Sequence, residues 1–258
     1  MKAHPTAVIH PKAQLASSVT VGPYTVIGED VELGEDCEVM SHVVLKGPAK
    51  FGRGNKIFPY AAIGQDPQDV KYKGERTSVE IGDGNTLREF ITIHRGTPGN
   101  GGVTRIGNHN LLMAYVHVAH DCQLGSHIIM SNGASLAGHV EIGDCAIVGA
   151  FCGIHQFCRI GAYSFLGSYT IVNKDILPYS KTTAERPTGV YGANRLGLER
   201  AGLAKEDIDE LQKAFRVLCR SKLNTAQAIE KLEDEGVKSP HVRALVDFVK
   251  TSERGVVK

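Results

Sequence analysis

One apolar residue recurs at every sixth position along most of the chain. From Ile9 the series runs through Leu15, Val21, Ile27 and onward to Ile63. It resumes at Ile81, Leu87 and Ile93, shifts phase by one, and continues unbroken from Ile106 to Val172. Of these 25 positions all are aliphatic except Phe51 and Met130. Glycine often follows the aliphatic residue, as at Gly22, Gly28 and Gly34, and a small residue often falls four positions on, as at Ala13, Cys37 and Ala134.

A helical period of 3.6 does not fit this spacing, whereas a hexapeptide repeat is a signature of the parallel β-helix. Each hexad supplies a short strand and a corner. The aliphatic and the small residue point inward, because side chains alternate along a strand. Three hexads close one triangular coil, and stacked coils pair as parallel strands about 4.8 Å apart. The hexads therefore predict about eight coils and a prism on the order of 40 Å long. Two polar stretches interrupt the repeat, at 64–80 and 94–105. Loops thrown off a regular prism add nothing to its core and point to function.

The repeat ends near Pro178. Beyond it, Ile208, Leu211, Phe215 and Leu218 fall at helical spacing. The stretch from Asn224 opens with a cap and closes on Gly236; that from Ser239 has Pro240 at the first helical position and ends at Gly255. The expectation is a mainly β chain: a parallel β-helix over 1–182 and a helical domain over 183–258 that caps its open end.

Composition narrows the function. The net charge is +1 in 258 residues, which gives no electrostatic case for nucleic acid. The first residues show no secretory pattern, and no run of 18 apolar residues could span a membrane. Six cysteines without a CxxC pair read as reduced thiols, those at small inward positions as core filler; a cytoplasmic protein is expected.

Val118, Leu136 and Ile154 are spaced to stack on successive coils. His117, His120, His139 and His155 lie beside them, none at an inward position, so they project from one edge of the prism. His10, His42, His109 and His127 read as surface. A convex edge makes a poor pocket, but three-fold packing of triangular prisms would turn it into an intersubunit groove. Two chemistries fit such histidines. Three could hold zinc, as in the gamma-type carbonic anhydrases of this fold. Alternatively one acts as general base on a hydroxyl. Asp121 either orients that base or belongs to the solvated surface.

The segments QDVKYKGE, TIHRGT, NLLMAYVHVAHDC, LAGHV and HQFCRIGA, followed by a tail ending SERG, resemble the UDP-N-acetylglucosamine O-acyltransferases that begin lipid A synthesis in Gram-negative bacteria. The resemblance covers nearly the whole chain. It implies a left-handed β-helix and a homotrimer with intersubunit sites, with no cofactor and no metal. It implies transfer of a 3-hydroxyacyl group from acyl carrier protein to the 3-position of UDP-N-acetylglucosamine. By the same resemblance His120 is the base and the Gly138 N–H is the oxyanion donor, with Asp121 beside the base as a further catalytic candidate. Asp69, Lys71, His117, His139, His155 and Gln156 correspond to substrate contacts, and Asn194 and Arg200 to nucleotide contacts. Ser168 corresponds to the position that limits acyl length. Around the nucleotide contacts the chain departs from the family at ERPT, Leu196 and Ala201. Arg216 and Arg220, with Lys213 and Lys222, form a basic helix face suited to an acidic carrier protein. A coenzyme A-dependent acyltransferase, a zinc hydratase and a non-catalytic scaffold of the same fold remain alternatives.

Overall fold

The computed structural model describes residues 1–183, 187–236 and 239–258. The hexads form a left-handed parallel β-helix with three faces of 11, 9 and 8 strands. The first face carries strands such as Leu111–Leu112 and Phe165–Leu166, the second His117–Val118 and Gly153–Ile154, the third Gln123–Leu124 and Arg159–Ile160. Strands of one face pair in parallel register, so Val118, Leu136, Ile154 and Val172 stack as expected. Nearly all the periodic aliphatics are buried, together with Cys37, Cys122, Cys152 and Cys158, in one continuous core. The coil begins one hexad earlier than the series suggests: Lys2–Ala3 already pairs with Thr20–Val21.

The corners explain the rest of the repeat. A Cβ on Gly34 or Gly107 would lie 2.7 or 2.6 Å from backbone of the next coil. Only glycine lets the turns stack that closely. The third residue after most of the inward aliphatics turns left-handed even when it is large: Tyr60, Tyr115, Asp121, His139 and Phe157 all have φ near +60°. That conformation is strained for non-glycine residues and persists because the coil on either side fixes it. It also aligns these side chains in columns. Tyr24, His42, Tyr60, Phe90 and Tyr115 form one stack, with ring centroids about 5 Å apart along the edge between the first and second faces. His42 is exposed, as expected, and its ring belongs to this stack.

The two excursions leave strands Ala62–Gln65 and Thr92–His94, and return at Ser78–Ile81 and Val103–Ile106. Across them the coil spacing rises to 30 and then 25 residues, and a buried ladder of asparagines holds the register. Asn55 Oδ1 accepts from Asn85 N, Asn85 Oδ1 from Asn110 N, and Asn110 Oδ1 from Ile128 N, at 2.7 to 2.9 Å. Their amides donate to corner carbonyls of Gly82, Gly107 and Gly125. Buried amides tolerate this setting because each is fully partnered.

The first face runs past residue 182. Ser180–Thr182 continues it, and Val190–Ala193 folds back antiparallel, so the helical domain starts later than the sequence suggests. Four helices follow: α1 (Arg195–Arg200), α2 (Lys205–Arg220), α3 (Thr225–Asp234) and α4 (Pro240–Lys250). The short α1 was not foreseen. Asn224 and Gln227 close a capping box on α3, and Ser239 caps α4. α4 stops at Lys250, and the chain after it zips onto the last coil through Asp175 N to Gly255 O and Val257 N to Asp175 O. Arg159, on the third face, lies over the Phe248 ring of α4 and donates to Thr251. The tail thereby covers the end of the prism.

Candidate active site

The edge between the second and third faces carries Asp121, His139 and Phe157 at its left-handed corners. His120 precedes Asp121 and shares its carboxylate. His120 Nδ1 donates to Asp121 Oδ2 at 2.8 Å, and the Asp121 side chain is 1% exposed. The second excursion supplies the rest of the shell. Thr97 N–H donates to Asp121 Oδ1 (2.9 Å) and its hydroxyl to Oδ2 (2.6 Å). Burial pushes the Asp121 carboxyl up, but the hydrogen bonds from His120 and Thr97 outweigh it and hold the group below the ordinary aspartate value. An ionised carboxylate only accepts, so His120 keeps its proton on Nδ1 and presents a bare Nε2. Asp121 is therefore an orienting residue and not solvated surface.

Opposite this ring lies Gly138. A Cβ there would sit 2.5 Å from His120 Cε1 and 2.7 Å from Nε2. No acceptor among the described residues takes the Gly138 N–H. The Gly138 backbone, whose amide has no acceptor among the described residues, and the free imidazole nitrogen of His120 thus lie side by side, a juxtaposition that an acyl-transfer site can use. His139 meets His120 edge-on at 5.1 Å and stacks on Phe157 at 4.5 Å. Burial lowers its pKa, opposed by the charges of Asp121 and Asp69. Asp69 is half-buried on the first excursion, and Lys71 is exposed on the same loop. His117, whose Nδ1 meets Thr92 Oγ1 at 2.7 Å, is lowered by burial and then by His120. His155 and Gln156 are exposed on the next coil along the edge.

Sequence reading missed two groups. His94 is buried against His117, and burial, with the neighbouring histidines, lowers its pKa to about 4. Arg95 is 6% exposed and ties the two excursions together. It donates to Gly64 O (2.7 Å) and to Tyr72 Oη (3.0 Å), and pairs with Asp66. The loop carrying Asp69 and Lys71 is held against the coil by this clamp. The motif TIHRGT contains both residues, but nothing in its spacing says that the arginine turns inward.

Three predicted residues lie apart from the cluster. Asn194 donates to Tyr163 O at 3.1 Å, near the corner between the third and first faces, and Arg200 is exposed at the end of α1. Ser168 is exposed at the corner between the first and second faces, three residues before Ile171. Of the departures near the nucleotide contacts, Leu196 is exposed, and residues 185 and 186 lie outside the described residues. On α2, Arg216 and Lys213 are exposed, whereas Arg220 donates to Tyr191 O (2.9 Å). A cleft of about 690 Å³ lies on the third-face side of the histidine edge, between Arg105, Asp121, His139, Glu141, Arg159 and Arg254. Ligand atoms of His120, Asp121 and His139 gather within 4.8 Å, a set able to hold a metal ion. Asp121 already accepts three hydrogen bonds there.

The comparisons agree with this chemistry. A family described as "Udp N-acetylglucosamine O-acyltransferase; Domain 2" matches residues 175–257. The acyl-[acyl-carrier-protein]–UDP-N-acetylglucosamine O-acyltransferase of Thiobacillus denitrificans is 47% identical over 255 residues, 99% of this chain and 98% of that protein. Its counterpart from Xylella fastidiosa is 45% identical over 258 residues, 99% of this chain and 97% of that one. Among solved structures, the Francisella novicida UDP-N-acetylglucosamine acyltransferase superposes with a TM-score of 0.96 at 41% identity, over 99% of this chain and 93% of that one. The Moraxella catarrhalis UDP-N-acetylglucosamine O-acyltransferase gives 0.96 at 40% identity over 100% of both chains. With identity of this order over its full length, the chain belongs to the acyl-[acyl-carrier-protein]–UDP-N-acetylglucosamine O-acyltransferase family.

Proposed function

We propose that the protein moves a 3-hydroxyacyl chain from acyl carrier protein to the 3-hydroxyl of UDP-N-acetylglucosamine, the first step of lipid A synthesis. The observation that carries the mechanism is the Thr97–Asp121–His120 relay, with its imidazole packed against the Gly138 backbone. His120 Nε2 takes the proton of the sugar hydroxyl as its oxygen attacks the thioester carbonyl. The carbonyl oxygen becomes an oxyanion, which the Gly138 N–H stabilises. The imidazolium is stabilised by Asp121. The tetrahedral intermediate collapses, the C–S bond breaks, and His120 returns the proton to the departing carrier thiol. No step draws on a metal or cofactor.

Asp69, Lys71, His117, His139, His155 and Gln156 contact the sugar nucleotide and acyl group along the edge. Asn194 and Arg200 lie beyond that edge, which supports a site completed by a neighbouring subunit of a homotrimer. An apolar row on the first face, Leu111, Ile129, Ile147 and Phe165, suits packing against such a neighbour, and a closed cyclic assembly would bury it. No helix among the described residues is long and apolar enough to cross a membrane, in keeping with a cytoplasmic enzyme.

Ser168 sets the far end of the acyl groove, for donors of around twelve to fourteen carbons by analogy with the family. A buried methylene is worth about 0.8 kcal/mol, so a two-carbon step is worth about tenfold. The test of the whole reading is an assay of purified protein with ten-, twelve- and fourteen-carbon 3-hydroxyacyl carrier proteins and with the corresponding acyl-coenzyme A. Transfer from the carrier proteins is expected, with Ser168→Met shifting preference to the shorter donors by about tenfold or more. Equal use of coenzyme A donors would contradict the reading.

The exposed basic groups Lys213 and Arg216 of α2 dock the acidic carrier protein. Reversing both to glutamate is expected to raise KM for the carrier severalfold at low salt and less at high salt, with KM for the sugar nucleotide nearly unchanged. Equal rises in both KM values would count against docking there. Arg220, held by Tyr191, contributes less than its neighbours.

A further inference from the structure

The outward positions of the second face run Thr92, His117, Ser135, Gly153 and Ile171 on successive strands in register. Gly153 stands out among the glycines of the coil. Its φ lies outside the left-handed region, so the backbone does not require glycine. Packing does not require it either: a Cβ there would meet one atom within 4 Å, the terminal Cδ1 of Ile171, at 3.3 Å. At Gly22, Gly34 and Gly107, by contrast, backbone lies within 2.7 Å of the added atom. Glycine inside a strand weakens it, and without a conformational reason it marks a place where something else approaches the backbone.

The position of the notch identifies the visitor. His120 sits at the corner where strand His117–Val118 leaves the second face. Ser168 sits at the corner that leads into strand Ile171–Val172 of the same face. The diagonal between them crosses the strands of Ser135 and Gly153, advancing roughly 14 Å along the prism axis at the usual strand spacing. Ile171, 48% exposed, stands at the end of that path as an apolar wall. An apolar chain fixed by its thioester at His120 and running toward Ser168 passes over Gly153.

We propose that Gly153 is a specificity-determining residue: its missing side chain is the passage through which the donor's acyl chain crosses the second face beside Ile171. This rests on the acyltransferase reading above. The test is kcat/KM for ten-, twelve- and fourteen-carbon 3-hydroxyacyl carrier proteins in wild type, Gly153→Ala and Gly153→Val, with melting temperature and assembly size measured alongside. Val is expected to lower the fourteen- to ten-carbon ratio by about tenfold or more and Ala by less, with the ten-carbon rate largely kept. Melting should not fall, because a β-branched residue suits a strand better than glycine. Ala keeps the test decisive should Val disturb folding, since its methyl meets only a mobile side-chain end. An unchanged ratio, or equal losses for all donors, overturns the proposal. So does loss of assembly, which would mean that a second copy of the chain fills the notch. A wild-type protein unable to use carrier-protein donors would instead refute the acyltransferase reading itself.

Discussion

His120→Ala is expected to lower kcat/KM by about 10²–10⁴-fold, the usual worth of a positioned general base. The imidazole packs against the Gly138 backbone with one nitrogen free, while its other nitrogen is held by a buried carboxylate. The loss should fall on kcat more than on KM for either substrate, because the proton moves only as the bond to the thioester carbon forms. The protein should melt as wild type does, since His120 fills no core position. Asp121 is less safe to remove, because its carboxylate also anchors the second excursion through Thr97. Steady-state kinetics of purified His120→Ala decides the matter; turnover within a few fold of wild type would mean that another group takes the proton. Chelation of the wild-type enzyme should leave turnover unchanged, and a loss restored by zinc would favour the hydratase-like alternative.

The extent to which this site is legible in the sequence follows from where each restraint originates. A strict period of six fixes which residues point inward, and therefore which histidines do not. That is why His117, His120, His139 and His155 could be placed on one edge before any coordinates. Handedness is different: neither hand changes which residues face the core, so it came from family resemblance. The role of Asp121 depends on its partner. Thr97 lies 24 residues away in an irregular loop, and its two bonds to the carboxylate reflect a loop conformation that no periodicity encodes. The same holds for Arg95, whose burial makes sense only once Gly64 and Tyr72 of the other excursion are beside it. Helix α1 was missed because six residues with a glycine at the third position show little periodicity. The hairpin ending in Val190–Ala193 was missed because it abandons the hexad. The asparagine ladder could have been found: Asn55, Asn85 and Asn110 all fall at the small inward position, where a buried amide needs partners in adjacent coils.

Gly138→Ala is expected to be nearly as damaging as removing the histidine, although it deletes no chemical group. The backbone at Gly138 is compatible with an L side chain, and its N–H remains in the variant. What forbids alanine is the His120 ring, whose Cε1, Nε2 and Nδ1 lie 2.5, 2.7 and 3.1 Å from the added methyl. The ring has little room to retreat. Asp121 holds its Nδ1 and is itself held by Thr97, while His139 stands edge-on at 5.1 Å. The coils cannot part to make space without breaking His139 N to His120 O and Ala119 N to Leu136 O. The imidazole must therefore swing off its bond to Asp121, and a displacement of about 1 Å at a catalytic group can cost on the order of 10²-fold. A double-mutant cycle separates this account from a general loss of fold or of the oxyanion donor. If the methyl acts only by moving His120, the Gly138→Ala, His120→Ala double variant will be as active as His120→Ala alone, because the displaced ring is already gone. Additive losses in the double variant would show instead that the methyl disturbs the amide or the substrate directly, and that the tight contact between Gly138 and His120 is not what positions the base.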